Sequence, residues 1–338
     1  MYVIGIDPHK GSHTAAVLDR DEELLGELRV IAGRRQRDEL LAFAAGFEPR
    51  TWAIEAASGW GALLAQQLVA AGEAVLDVPP ALSARARLLD GRSNDKTDRH
   101  DARSAAIVAV RHRQLRPVVP VDHTAVLRLL ADRHHDLTAA RTRAICRLHA
   151  LLCLLIAGGR PRQLKAPAAA AALRSVRPTG PVEVERKAMA TDLLGDVRRL
   201  DDQINALKQR IAETVVASGT TVTDVYGVGP IGAAIIIGHT GDVSRFPTSG
   251  HYARYNATAP IEASSGPRVR HRLNPRGNRQ LNHALHMAAV TQVRKDTPGR
   301  AYYLRKQAEG KGRKEALRAL KRRISDAVYR QLVADTHH

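Results

Sequence analysis

Tyr2-Val3-Ile4-Gly5-Ile6-Asp7 opens the chain as an apolar run that ends on an acid. Bounded by the turn sequence Pro8-His9-Lys10-Gly11, it reads as a buried strand with Asp7 at its end. Residues 13–18 read as a second strand, so the first two form a hairpin, and residues 27–31 give a third short strand. Residues 37–45 read as a helix, 52–55 as a strand, 60–71 as a helix and 74–78 as a strand closed by Pro79-Pro80. A further helix is expected over 98–110. Three strands followed by helix–strand–helix–strand–helix is an α/β order. In such folds ligands gather at the C-terminal ends of strands. Glu55 stands at such an end, closing Thr51-Trp52-Ala53-Ile54-Glu55.

The helix over 98–110 begins in Asn94-Asp95-Lys96-Thr97-Asp98-Arg99-His100-Asp101-Ala102. Asp98 and Asp101 are three apart and share a helical face. Asp95 and His100 fall off that face, and Asp95 reads as a loop or capping residue. Taken singly, Asp7 is an ordinary turn residue, Glu55 a solvated edge charge, and Asp98 a charge favoured by the helix dipole. Taken together, the four acids suggest a divalent-metal site. Carboxylates and water suit Mg²⁺, with Mn²⁺ as the alternative.

Charge points to what such a site would act on. The 338 residues carry a net charge of +18, from 52 Lys and Arg against 34 Asp and Glu. Residues 266–338 alone hold 18 Lys and Arg against 5 Asp and Glu. A tail so basic fits a polyanion, most simply nucleic acid. Aromatics make up only 4% of the chain, so base stacking is not its main means of binding. Cys146 and Cys153, seven apart in an apolar helical pattern, are expected to face a packed seam and form neither a zinc site nor a disulfide framework. No signal-peptide pattern precedes the first strand and no apolar run reaches membrane-spanning length, which points to a cytoplasm and no membrane partner.

The middle of the chain is helical. Residues 122–156 carry a stripe of Val126, Leu130, Arg133, Leu137, Ala140, Ala144, Leu148, Leu151 and Leu155. After an irregular break at 157–182, residues 183–217 repeat the pattern in Leu193, Val197, Leu200, Ile204, Leu207, Ile211 and Val215. The pair reads as a helical hairpin or coiled-coil arm, built either within the chain or between copies.

Farther on, Gly227-Val228-Gly229-Pro230-Ile231-Gly232 is a formal G-x-G-x-x-G without the βαβ setting that a dinucleotide site needs. It fits better as a helix-hairpin-helix turn whose backbone N–H groups hold a phosphate, or as a purely structural turn. Ser264-Ser265-Gly266 precedes Arg268, Arg270, Arg272, Arg276 and Arg279. That stretch reads as a phosphate-binding loop, or as a loop presenting a nucleophilic hydroxyl with arginines to steady the transition-state charge.

In order, Gly5-Ile6-Asp7-Pro8-His9-Lys10, Ile54-Glu55-Ala56, Lys96-Thr97-Asp98-Arg99-His100-Asp101-Ala102, Gly227-Val228-Gly229-Pro230, Asp242-Val243-Ser244-Arg245-Phe246, Ser265-Gly266 and Arg276-Gly277-Asn278-Arg279 resemble the DEDD transposases of bacterial insertion sequences, insertion-sequence family 110. The resemblance runs over roughly residues 2–330. It implies an RNase H-like (RuvC-type) α/β domain over 1–117, a long helical coiled-coil segment over 118–219, and a mostly α transposase domain with a helix-hairpin-helix over 220–338. Asp7, Glu55, Asp98 and Asp101 would be its metal-binding acids and Ser265 its nucleophile, with Ser264 as the neighbouring rival. It further implies target and donor DNA, a structured noncoding guide RNA, a covalent phosphoserine intermediate, and a homo-oligomer (dimer or tetramer) in a bacterial cytoplasm. Asn256-Ala257-Thr258 and Asn274-Pro275 depart from the family's usual loop sequence. A Holliday-junction-type nuclease using water, and a non-catalytic nucleic-acid-binding assembly protein, are the competing readings.

Overall fold

The opening apolar run becomes β1 (Tyr2–Pro8), an interior strand of a six-stranded mixed sheet. The computed structural model describes residues 1–89, 97–112, 114–161, 163–262, 271–272 and 274–336. It divides into two units, Met1–Val121 and Asp122–His338.

In the first unit, β2 (Ser12–Leu18) and β3 (Leu24–Ile31) follow β1 as antiparallel neighbours. β4 (Arg50–Glu55) and β5 (Val75–Val78) join on the other side in parallel, and β6 (Arg116–Pro117) closes the edge. The order is β3-β2-β1-β4-β5-β6. β1 and β2 are buried along almost their whole length, which is why they read as unbroken apolar runs. The crossovers are helical: α1 (Gln36–Ala44), α2 (Ala62–Ala70), α3 (Pro80–Leu89) and α4 (Asp98–Arg111). Ile4, Ile6, Trp52 and Ile54 face α1 and α2 through Leu40, Leu64 and Leu68. The alternate residues Val3 and Ala53 face Ala105 and Ala106 of α4, with Leu82 and Ala86 of α3 beside them.

This is the α/β order expected from the sequence, with one helix and one two-residue edge strand more. Pro79-Pro80 was expected only to close a strand. Pro80 instead starts α3, because the first turn of a helix needs no N–H from its first residue and favours the fixed φ of proline.

The second unit is built on two long helices, α5 (His123–Leu155) and α7 (Pro181–Ala217), with α6 (Ala166–Ser175) between them. They run antiparallel. Ala144, Leu148 and Leu152 of α5 share a core with Ala190, Leu194 and Val197 of α7 and the alanines of α6. Leu127, Leu130 and Leu137 share another core with Ile204, Leu207, Ile211 and Val215. Arg141 and Asp201 form an ion pair between the two helices. The apolar stripes thus meet each other within the chain.

That second core continues into α8 (Pro230–Thr240), α9 (Ser249–Tyr255), α10 (Arg279–Arg294), α11 (Pro298–Ala308) and α12 (Arg313–Asp335), so it draws on residues from both sides of position 219. A two-residue ladder, β7 (Ile261–Glu262) with β8 (His271–Arg272), stands apart from the main sheet. α8 crosses α5 closely: a Cβ on Gly238 would lie 2.5 Å from Arg128 Cα. This crossing widens the buried face of α5, so Leu127 and Ala131 are buried while the expected Val126 is exposed.

The cysteines correct another expectation. Cys146 and Cys153 are both exposed rather than packed. Cys146 lies two residues, ~200° of helical turn, beyond the buried Ala144, and Cys153 one residue beyond the buried Leu152. No helix among the described residues is long and apolar enough to cross a membrane.

Candidate functional site

Side-chain alternation along β1 puts Val3, Gly5 and Asp7 on one face, and along β4 it puts Ala53 and Glu55 on the same face. That face carries α4. Gly5 lets the helix come down onto the strand. A Cβ there would overlap the Ala102 carbonyl oxygen and stand 2.7 Å from Ala106 N. Thr97 caps α4, its hydroxyl accepting from His100 N at 3.4 Å, which sets Asp98 and Asp101 in the first turn. Two strand ends and one helix start therefore put the four acids on the same side of the sheet.

Ligand atoms of Asp7, His9 and Asp98 all lie within 4.8 Å of one another. Asp7 is only 7% exposed, and among the described residues its Oδ2 accepts no hydrogen bond, standing 3.4 Å from His9 Nδ1. Burial raises the Asp7 carboxyl from its ordinary 3.8 to about 6. His9 pulls it down, while Asp101, Glu55 and Asp98 push it up. Glu55 and Asp101 thus act on Asp7 through charge, while the ligand atoms that meet are those of Asp7, His9 and Asp98. Asp101 also pairs with Arg87 of α3, and Asp98 lies 3.8 Å from Arg29 Nη2. Asp98 lines an open groove of about 490 Å³ with Thr14, Glu27, Arg29 and Arg99. An orphaned buried carboxylate oxygen among further acids is a donor set that a hard divalent cation would satisfy.

Sequence reasoning did not single out His9 or Arg87. His9 had a signal, standing two residues after Asp7 across a proline. Arg87 had none, because it sits on the unexpected α3. Trp60 was also passed over. It is 66% exposed in the loop that follows Glu55, with Lys10 Nζ 4.8 Å from its ring centre.

Residues 4–156 match a family model described as "Transposase", and residues 219–304 match one described as "Transposase IS116/IS110/IS902 family". The chain belongs to the IS116/IS110/IS902 transposase family. This IS110-family chain is 29% identical over 380 residues to the "Insertion element IS116 uncharacterized 44.8 kDa protein" of Streptomyces clavuligerus, covering 97% of this chain and 94% of the relative. It is also 29% identical over 386 residues to the "Insertion element IS900 uncharacterized 42 kDa protein" of Mycobacterium paratuberculosis, with the same coverage. Among solved structures it is similar to T. thermophilus RuvC in complex with Holliday junction substrate, at 19% identity and a TM-score of 0.28, over 35% of this chain and all of that one.

In the second unit of this IS110-family chain, Gly227 has φ +87° and packs directly on α10, where a Cβ would lie 2.8 Å from the Ala288 carbonyl oxygen. Gly229 is the N-cap of α8 and Pro230 its first residue. A three-residue 3₁₀ turn, Val222–Asp224, precedes this bend. Arg276 and Arg279 are exposed before and at the start of α10. Arg272 belongs to β8. Ser264, Ser265, Arg268 and Arg270 lie outside the described residues.

The unusual loop residues have a structural use. Asn256 is fully buried. It donates to Ser325 Oγ at 2.8 Å, accepts from Thr258 Oγ1 at 2.7 Å, and its carbonyl accepts from Asn282 at 2.9 Å. Asn274 donates to the Arg254 carbonyl at 2.8 Å. Gly277 abuts Ala257, which has φ +59°. These contacts fix both stems of the segment that carries the two serines.

Proposed function

We propose that this chain cuts and rejoins DNA as a serine-dependent transposase, using a divalent cation, Mg²⁺, at Asp7, Glu55, Asp98 and Asp101. The observation that carries it is the meeting of Asp7 and Asp98, with the charges of Glu55 and Asp101 felt at the buried Asp7, in a chain of this family. A cation held there supplies Lewis-acid stabilisation of charge at the scissile phosphate. Ser265 acts as nucleophile: its hydroxyl gives up its proton, an Oγ–P bond forms, and the P–O bond to the leaving strand breaks as that strand's oxygen takes up a proton. Attack on the phosphoserine by a strand hydroxyl reverses the step and rejoins DNA. Arg268, Arg270, Arg272, Arg276 and Arg279, with the Gly227–Gly229 bend, bind phosphates. The excess of cations in residues 266–338 supports nucleic-acid partners, including a noncoding guide RNA. Function as a homo-oligomer belongs to the same proposal, as does a three-part division of roles at 117 and 219, the second and third parts sharing one hydrophobic core.

A labelled DNA junction tests it. The wild-type protein is expected to form a covalent adduct that Ser265→Ala abolishes and Ser264→Ala retains. An adduct that survives Ser265→Ala and is lost in Ser264→Ala moves the nucleophile by one residue. Assembly of the acid cluster within one unit favours a second reading, hydrolysis by water at the metal site alone. Cleavage that persists without either serine and without an adduct selects it.

A further inference from the structure

The first three turns of α12 and the start of α10 converge on an open cavity of about 710 Å³ that the metal site does not use. Arg318, Lys321 and Arg322 lie at i, i+3 and i+4 on one face of α12, and Arg279 and Asn282 face them from α10. Lys311 closes the rim from the turn before α12. The floor is made by residues 257–260 and by Asn274, the stems that flank the small ladder.

Among the described residues, the cations here outnumber their partners. Glu315, the cavity's acid, has its carboxylate committed to Gly312 N at 3.1 Å. Asp326 pairs with Arg322 at 2.9 Å. Lys321 Nζ has only the neutral Asn282 Oδ1, at 2.6 Å, and no carboxylate pairs with Arg318 or Arg279. Burial and the neighbouring Arg318 depress the Lys321 ammonium below its ordinary range. A half-buried ammonium beside a guanidinium is a costly arrangement for a merely solvated surface, and an anion would relieve it.

We propose that this cavity seats a phosphodiester group of a nucleic-acid strand between Arg318, Lys321 and Arg279. Its volume accommodates a nucleotide rather than a lone small anion. The proposal rests on nucleic acid being the substrate, and it extends the contact surface from the arginines before α10 onto α12. Because the floor is the stem of the serine-bearing segment, a strand seated here is tied to that segment's two ends.

The test is the salt dependence of binding by the full-length protein, with labelled duplex DNA and with RNA of equal length. Two variants keep it robust to misfolding: Lys311→Gln with Arg318→Gln, both exposed, and Lys321→Gln, which retains a donor toward Asn282. The double variant is expected to lower the slope of log affinity against log salt on duplex DNA by about 1, at ~0.9 per phosphate contact, and to weaken binding about tenfold or more. The nucleic acid that suffers the larger loss identifies the strand. Lys208→Gln with Arg210→Gln, exposed on α7 and away from the cavity, is expected to leave the slope nearly unchanged. An equal loss in that pair, or an unchanged slope in the cavity variants, overturns the proposal. Saturable binding of inorganic phosphate that the cavity variants abolish, with both nucleic acids unaffected, also overturns it. No strand chemistry enters this measurement, so it reads the cavity even if Ser265 is not the nucleophile.

Discussion

Asp7→Asn is expected to stabilise the metal-free protein while abolishing DNA cleavage. The buried carboxyl, raised to about 6, is ionised at pH 7.5 in both folded and unfolded chains, but the folded environment disfavours that charge. The gap between 3.8 and about 6 corresponds to about 3 kcal/mol. An uncharged isostere removes that penalty, so a gain of about 1–3 kcal/mol is expected. The sign with pH follows. Between pH 3.8 and about 6 the folded protein holds a proton that the unfolded chain has released, so wild-type stability falls as pH rises through that window. The advantage of Asp7→Asn should therefore be full above pH 6 and vanish below about pH 4. Urea unfolding with a chelator across pH 4–8 measures it. Adding Mg²⁺ should reverse the ranking, because only the wild type gains binding free energy. A variant less stable than wild type at pH 7.5 without metal would show that Asp7 is not a strained charge.

Gly5→Ala is expected to cost about 3 kcal/mol or more and to disperse the acid cluster. The added methyl collides with backbone atoms of α4 at Ala102 and Ala106, which cannot rotate away as a side chain could. The helix must lift from β1, taking Asp98 and Asp101 from Asp7. Urea midpoints and metal-dependent stabilisation should fall together. A wild-type midpoint in Gly5→Ala would mean that α4 is not seated on β1 at this point.

Much of this was legible in the residues. Apolar runs ending on Asp7 and Glu55 marked both strands and the acids at their ends, and the three-residue spacing of Asp98 and Asp101 marked a shared helical face. The sequence pattern did not show how tightly that face is applied to the sheet, because Gly5 acquires its meaning only when Ala102 is opposite it. Arg87 was hidden for a different reason. The proline pair read as a stop was a helix start, so the helix carrying the partner of Asp101 went unseen. Along α5 the apolar period was correct, but its phase was not. A face packed against α7 and α8 together is wider than a two-helix seam, and Leu127 displaced Val126 from the buried side. The glycines of the 227–232 stretch show the limit of motif reading, since Gly227 uses its missing Cβ against Ala288. Nothing in the spacing distinguishes that contact from a phosphate cradle.

The two cores strung along α5 and α7 bear on how the second unit melts and where the polypeptide can be divided. Leu200 packs against both cores, and each long helix passes from one to the other. Losing either core leaves half of each helix without a partner, and most helical stability in proteins comes from such packing. The unit should behave as one cooperative block. A polypeptide starting at residue 220 would inherit half a core, without Leu127, Leu130, Ile204, Leu207, Ile211 and Val215. The cut that spares both hydrophobic interiors falls between Val121 and Asp122.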